Sequence, residues 1–186
     1  TRRAAFEHGT AMSLLQGGML SAKLVATTSS HLAEQALQVD FAGAMAAKLT
    51  QAGIEILGVA PGLDYAVYNP ATDSAITTRY DAESSTRKAA CKAALCHELE
   101  LSLDADLPLV LFAQPLGAAT GSDLVAASAL ALCKSPLQLV IAGTGDAAGR
   151  KAFSAAKLSR LPNYRYLDRF SPEFERRLLA AADIVV

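Results

Sequence analysis

Two stretches of this chain combine residue types and spacing suited to holding a phosphate. Leu107 to Leu124 reads as a short apolar run, a Gly-containing turn and a helix start. The apolar part, Leu109 to Ala113, lies between Pro108 and Pro115 and suits a strand buried on both faces of a parallel sheet. Ser122 or Asp123 is placed to cap a helix running to Leu132. Turns of this kind attract anions, because free amides and the positive end of the helix dipole face the loop. From Leu107 to Cys133 there is no Lys or Arg, so this loop offers a bound diphosphate no cation. The second stretch, Gly143-Thr144-Gly145-Asp146, follows the run Leu137 to Ala142. It lacks the third glycine of a dinucleotide fingerprint and reads equally as a tight turn in which Asp146 caps the next helix.

Other reactive residue types are scattered. His8, His31 and His97 have no acidic or cysteine partner at metal or catalytic spacing, which leaves surface or capping roles. Ser29-Ser30-His31 has no nucleophile elbow around it, and a helix cap accounts for both serines. Cys91, Cys96 and Cys133 are odd in number and lack Cys-x-x-Cys spacing, against both a disulfide framework and a zinc site. Cys91 and Cys96 stand about 140° apart around a helix, on different faces. Arg150, Lys151, Lys157 and Arg160, with Arg165, Arg169, Arg176 and Arg177 downstream, read as a solvated basic face or as a patch for a polyanion.

The elements that must position these residues follow from periodicity and punctuation. Helix is predicted from Ala4 to Met19, ending at Gly17-Gly18; strand from Lys23 to Thr28; helix from a Ser30 cap to about Gln38; helix from Phe41 to Gln51, stopped by Gly53. Ile54 to Val59 is the next strand, and Tyr65 to Ser84 is ordered loop, longer than a compact domain keeps without a reason. Helix follows from Thr86 to Leu101, then the strand and helix described above. The strand Leu137–Ala142 leads to helix Ala147–Leu161, strand Tyr164–Leu167, helix Ser171–Ala181 with Pro172 at its first position, and a last strand beginning at Asp183. Strands alternating with helices imply parallel pairing with right-handed crossovers. The fold class is therefore α/β, a Rossmann-like three-layer αβα arrangement on one open, mostly parallel sheet.

Composition sets outer limits. The chain has 186 residues, 52% hydrophobic and 19% charged, with a net charge of -1, so no electrostatic case exists for nucleic acid or an anionic membrane. No apolar run reaches the roughly 20 residues of a membrane span. The expectation is a soluble protein of a reducing compartment. The first residue is Thr, consistent with processing or truncation.

Three stretches, in order, resemble bacterial glycogen synthases and plant starch synthases, ADP-glucose-dependent glycosyltransferases of the two-domain GT-B fold. Pro61-Gly62-Leu63-Asp64 with Tyr68-Asn69-Pro70-Ala71-Thr72-Asp73 is similar to the family's Asn-Gly-Ile-Asp and Trp-Asn-Pro-Ala-Thr-Asp segment. Gln138 to Asp146 resembles its strand and Gly-x-Gly-Asp loop, and Ala181-Ala182-Asp183-Ile184 its Gly-Ala-Asp. Ser21 to Ser30 is similar to the last strand of the N-terminal domain. The resemblance implies that residues 1–53 close the N-terminal GT-B domain and that 54–186 form the donor-binding C-terminal domain, truncated at its end.

The departures carry as much information. The family's opening loop reads Arg-Leu-Thr-x-Gln-Lys-Gly-x-Asp, and its arginine and lysine clamp the donor diphosphate; those places fall here on Pro115 and Thr120. The Lys-x-Gly-Gly-Leu loop and the Glu-Pro-Cys-Gly-Leu segment are not in this sequence. The resemblance thus implies a donor-site remnant at Gly117, Thr120, Gly121, Ser122, Gly143, Thr144, Gly145 and Asp146, with no catalytic residue, metal site or cofactor. It implies weak binding of ADP-glucose or glucan, and a protein partner or further chain covering the sheet after Val186. Two functions follow: a glucosyltransferase module, or a non-catalytic subunit that keeps the fold.

Overall fold

The structure, a computed structural model, describes residues 5–8, 10–102, 104, 106–169 and 171–186, with the side chains of His8 and Ala118 left aside. Ala4, where the first helix is expected to begin, lies outside them. The chain divides into two compact units, residues 1–63 and 64–186. The single open sheet expected from the sequence is instead two parallel sheets, one in each unit.

In the first unit an antiparallel hairpin, β1 (Glu7–His8) and β2 (Ala11–Met12), stands where helix is expected. Helix α1 (Leu14–Ser21) follows, with the Ser13 hydroxyl accepting the Gln16 amide. Gly17-Gly18 lies inside α1 rather than ending it. The ring of Phe6 packs where a Cβ on Gly17 would stand, and the Gln16 amide group donates to the Ala5 and Glu7 carbonyls, so tertiary contact overrides the glycine pair. Strand β3 (Val25–Thr27) leads to α2 (Ser30–Gln35), capped by Ser29 rather than Ser30. The next expected helix is divided into α3 (Val39–Ala42) and α4 (Ala44–Gln51) at Gly43, whose φ of 57° no β-carbon tolerates well. Strand β4 (Ile56–Gly58) pairs in parallel with β3, so the strand expected to open the second domain belongs to the first unit.

The second unit begins with a turn-rich segment pinned by side chains. Asp64, Asn69 and Asp73 each accept the amide two residues on, which is how short polar side chains fix turns. Helix α5 (Lys88–Glu98) precedes β5 (Leu109–Ala113), α6 (Ser122–Leu132) and β6 (Gln138–Ala142). Then come α7 (Ala147–Phe153), α8 (Ala156–Ser159), β7 (Tyr164–Leu167), α9 (Pro172–Ala181, capped by Ser171) and β8 (Ile184–Val185). The sheet order is β7-β6-β5-β8, all parallel.

Every residue of β5 and β6 is buried, because both faces carry helices. On one face Leu95 of α5, Leu99 just past its end, and Phe174, Leu178 and Ala181 of α9 meet Leu109, Leu111 and Val140. On the other, Ala129, Phe153 and Leu158 meet Val110, Phe112, Ile141 and Tyr164. The three-layer arrangement therefore holds within this unit. Cys91, Cys96 and Cys133 are all buried free thiols.

Candidate functional site: the loops after β5 and β6

In a doubly wound parallel sheet the ligand crevice opens at the carboxyl ends of the strands, beside the point where strand order reverses. Here β5, β6 and β7 run outward in one direction and β8 returns to the other side of β5. The loops after β5 and β6 occupy that position and are joined backbone to backbone. Leu116 donates its amide to the Thr144 carbonyl at 2.9 Å and bridges in parallel to Gly145. Glycine is required for this approach. A Cβ on Gly143 would overlap the Gln114 carbonyl oxygen, and one on Gly145 would overlap that of Leu116.

Each expected site residue has a definite place. Gly121 precedes α6 with φ 72°, and no side chain caps the helix, so neither Ser122 nor Asp123 plays the expected capping role. The Ser122 hydroxyl is buried and donates to the Gly117 carbonyl at 3.0 Å. Thr120 Oγ1 lies 2.8 Å from the same carbonyl and 2.6 Å from the carbonyl of Pro115. Asp146 accepts the Gly149 amide at 2.7 Å and caps α7. Gly117, Ser122 and Asp146 line a crevice of about 270 Å³ together with Asp123, Gly149 and Phe153. Thr120, Gly121, Gly143, Thr144 and Gly145 are not among its lining residues; they shape the loops instead.

Leu116, one of the residues kept from the family's loop, meets Gly149, which no sequence motif had singled out. Leu116 is 3% exposed and joins the two loops, and its Cβ stands 3.0 Å from where one on Gly149 would be. The spacing Asp146-x-x-Gly149 was the available signal, since a helix cap bonds the third residue on.

Several of the unit's cations are engaged elsewhere. Lys88 donates to the Leu179 and Ala180 carbonyls at the end of α9, and burial holds its pKa below the usual lysine value. Lys92 bonds the Leu107 carbonyl and pairs with Asp183 at 2.7 Å. Burial pushes the Asp183 carboxyl up, but the Leu109 amide and the Lys92 ammonium outweigh it and hold the group below the ordinary carboxylate range. Arg176 pairs with Asp73 at 2.8 Å, Arg169 and Arg177 share Glu98, and Arg165 donates to the Leu99 and Glu100 carbonyls. The downstream arginines are thus structural ties rather than an open basic patch.

This four-stranded unit with its strand-to-helix loops is the architecture of a GT-B glycosyltransferase domain. The catalytic domain of starch synthase IV from Arabidopsis thaliana, bound to ADP and acarbose, superimposes with a TM-score of 0.86 at 21% identity, over 97% of this chain and 37% of that one. Glycogen synthase of Anaeromyxobacter dehalogenans is 30% identical over 183 residues, 98% of this chain and 38% of its own length. That of Geotalea daltonii is 31% identical over 173 residues, 93% of this chain and 36% of its own. The chain belongs to the starch and glycogen synthase family and spans well under half the length of these relatives. No protein-family model matches it. No helix among the described residues is long and apolar enough to cross a membrane.

Proposed function

We propose that the second unit is the donor-side portion of a glycogen or starch synthase-like glycosyltransferase, and that this chain by itself does not transfer glucose. The observation that carries the reading is the 2.6 Å hydrogen bond from Thr120 Oγ1 to the Pro115 carbonyl. By the family resemblance these are the two places of the diphosphate-clamping lysine and arginine, and here they bond each other. With the Ser122 hydroxyl also turned onto the Gly117 carbonyl, the loop satisfies its own polar groups.

Departure of ADP from ADP-glucose builds negative charge on the diphosphate, and charge-assisted contacts stabilise it by about 1.5–3 kcal/mol each. Pro115 offers neither amide nor cation, and one helix dipole does not replace two cations. ADP-glucose or α-1,4-glucan would therefore be held weakly, and the chain would act as a structural or interaction subunit in a larger assembly. Three free buried thiols fit a reducing compartment such as bacterial cytoplasm or plastid stroma. The retained backbone frame of both loops favours the other reading, an active donor site whose cations come from elsewhere.

Titration calorimetry separates the two. ADP and ADP-glucose are expected to bind no tighter than about millimolar, about 4 kcal/mol. A micromolar dissociation constant, or glucan elongation by this chain, would overturn the silent reading. The pair Pro115→Arg and Thr120→Lys should strengthen ADP binding if the crevice still accepts a diphosphate, and leave it unchanged if the loop serves only as a contact surface.

A further inference from the structure

A second cavity of the same unit lies at the amino ends of β5 and β8, away from the loops after β5 and β6. Asp183, just before β8, donates its amide to the Leu109 carbonyl, and Asp104 stands before β5. A strand rises about 3.3 Å per residue, so the length of β5 sets this cavity roughly 15 Å from the crevice. One wall is a single face of α5, where Ala89, Ala93 and Cys96 follow one another at helical spacing, with Ser85 and Thr86 in the turn before. Ala89 and Ala93 are exposed and carry only methyl groups, so the helix leaves room there; Cys96, 2% exposed, closes the floor.

The polar groups of the cavity cancel in charge. Lys88 and Lys92 line it together with Asp104 and Asp183, which disfavours an anion and a cation alike. Asp183 uses Oδ2 for the Leu109 amide and the Lys92 ammonium, and Asp104 uses Oδ1 for the Asp106 amide. The second oxygen of each carboxylate, and the hydroxyls of Ser85 and Thr86, have no partner among the described residues. A carboxylate oxygen can only accept, so the matching ligand brings hydroxyl donors, an apolar face for Ala89 and Ala93, and no net charge. A pyranose ring combines these, with C–H groups on its faces and hydroxyls around its edge. The volume of about 270 Å³ is at the small end for ligand pockets and suits one ring rather than a chain.

We propose that the cavity between α5, Asp104 and Asp183 binds one neutral hexopyranose unit. Its hydroxyls donate to the two carboxylates and its apolar face rests on Ala89 and Ala93. The choice of glucose as that hexose rests on the proposed function; the site itself does not.

The test is amide chemical-shift mapping by NMR, with methyl α-glucoside, maltoheptaose and inorganic phosphate each titrated into the intact chain. Methyl α-glucoside is expected to shift the amides of Ser85, Ala89 and Ala93 in the millimolar range and to leave those of Gly117 and Gly149 in place. Maltoheptaose moving the same amides identifies a unit of a glucan as occupant, and its failure to do so identifies a free sugar; both support the site. Ala93→Leu, which fills the cavity, should weaken binding about tenfold or more. Asp104→Asn, which leaves the helix untouched, should weaken it about threefold or more, whereas Ala127→Leu, at an exposed position of α6, should change nothing. No shift with either sugar overturns the proposal, as do shifts confined to Gly117 and Gly149, or parent-like binding by both cavity variants. Phosphate moving the same amides at lower concentration than the sugar also overturns it, because the ligand would then be an anion. Tight ADP binding, which would overturn the loss of transfer activity, reports at Gly117 and Gly149 instead, so the two failures are distinguishable.

Discussion

The loops after β5 and β6 and the seam between α5 and α9 lie in the same unit and are fastened by opposite means. The loops are joined by backbone contact, glycines and hydroxyls, with no cation in the stretch from Leu107 to Cys133. The seam is tied by Lys88, Lys92 and Arg177, with Arg176 anchoring the preceding turn. The joint between the two loops is thus made by neutral contacts, whereas the cations of the seam have a structural task. Steric changes should damage the first region and charge or pH changes the second.

The largest expected effect is steric. Gly143→Val drives a side chain into the Gln114 carbonyl and should lower unfolding free energy by about 3 kcal/mol or more. Urea denaturation reads this directly, and a loss below about 1 kcal/mol would mean that the loops are not sterically locked. Next is Arg176→Met, which strands the Asp73 carboxylate, itself only 7% exposed. Its expected cost is about 2 kcal/mol, reduced from that of a fully buried pair because Arg176 is 19% exposed. A neutral result there would break the contrast from the other side.

A smaller effect carries a pH signature. Lys92→Met should cost about 1 kcal/mol at neutral pH, after allowance for the solvent screening of Asp183. The folded-state pKa of Asp183 is depressed, so its stabilisation is complete above the unfolded carboxylate value of about 4 and is lost as pH falls through the folded value. The gap in Tm between the parent chain and Lys92→Met should therefore narrow as pH is lowered toward 3; a gap that widens would refute the assignment. The smallest effect belongs to Thr120→Val, under about 1 kcal/mol, since it removes a partly exposed hydroxyl from carbonyls that water can reach. A larger loss in thermal unfolding would mean that this bond, rather than the glycines, holds the loop.

Much of the second unit was legible because its signals are local. Leu109–Ala113 and Gln138–Ala142 are continuous apolar runs, and Ser171-Pro172-Glu173 spells a helix start in its own side chains. The first unit was read less well because distant contacts decide it. Phe6 against Gly17 keeps a glycine pair inside a helix, and a hairpin replaces the helix expected before it. The pairing of β4 with β3 rather than with β5 is also beyond periodicity, which shows that a strand exists but not which strand it joins. At the site, the missing cations were visible in sequence, whereas the bond between Thr120 and Pro115 depends on how the turn folds back. The arginines downstream of β7 read as a surface patch because their partners, Glu98, Leu99 and Asp73, are distant in sequence.

The burial of Cys91, Cys96 and Cys133 has a practical consequence. All three lie in the second unit and none in the first, and burial pushes the thiols of Cys96 and Cys133 up, away from the reactive thiolate. Alkylation in the native state must therefore wait for the second unit to open, and each opening leaves a permanent mass increment. The chain thus records, in its own covalent mass, how often one of its two units breathes while the other contributes no signal.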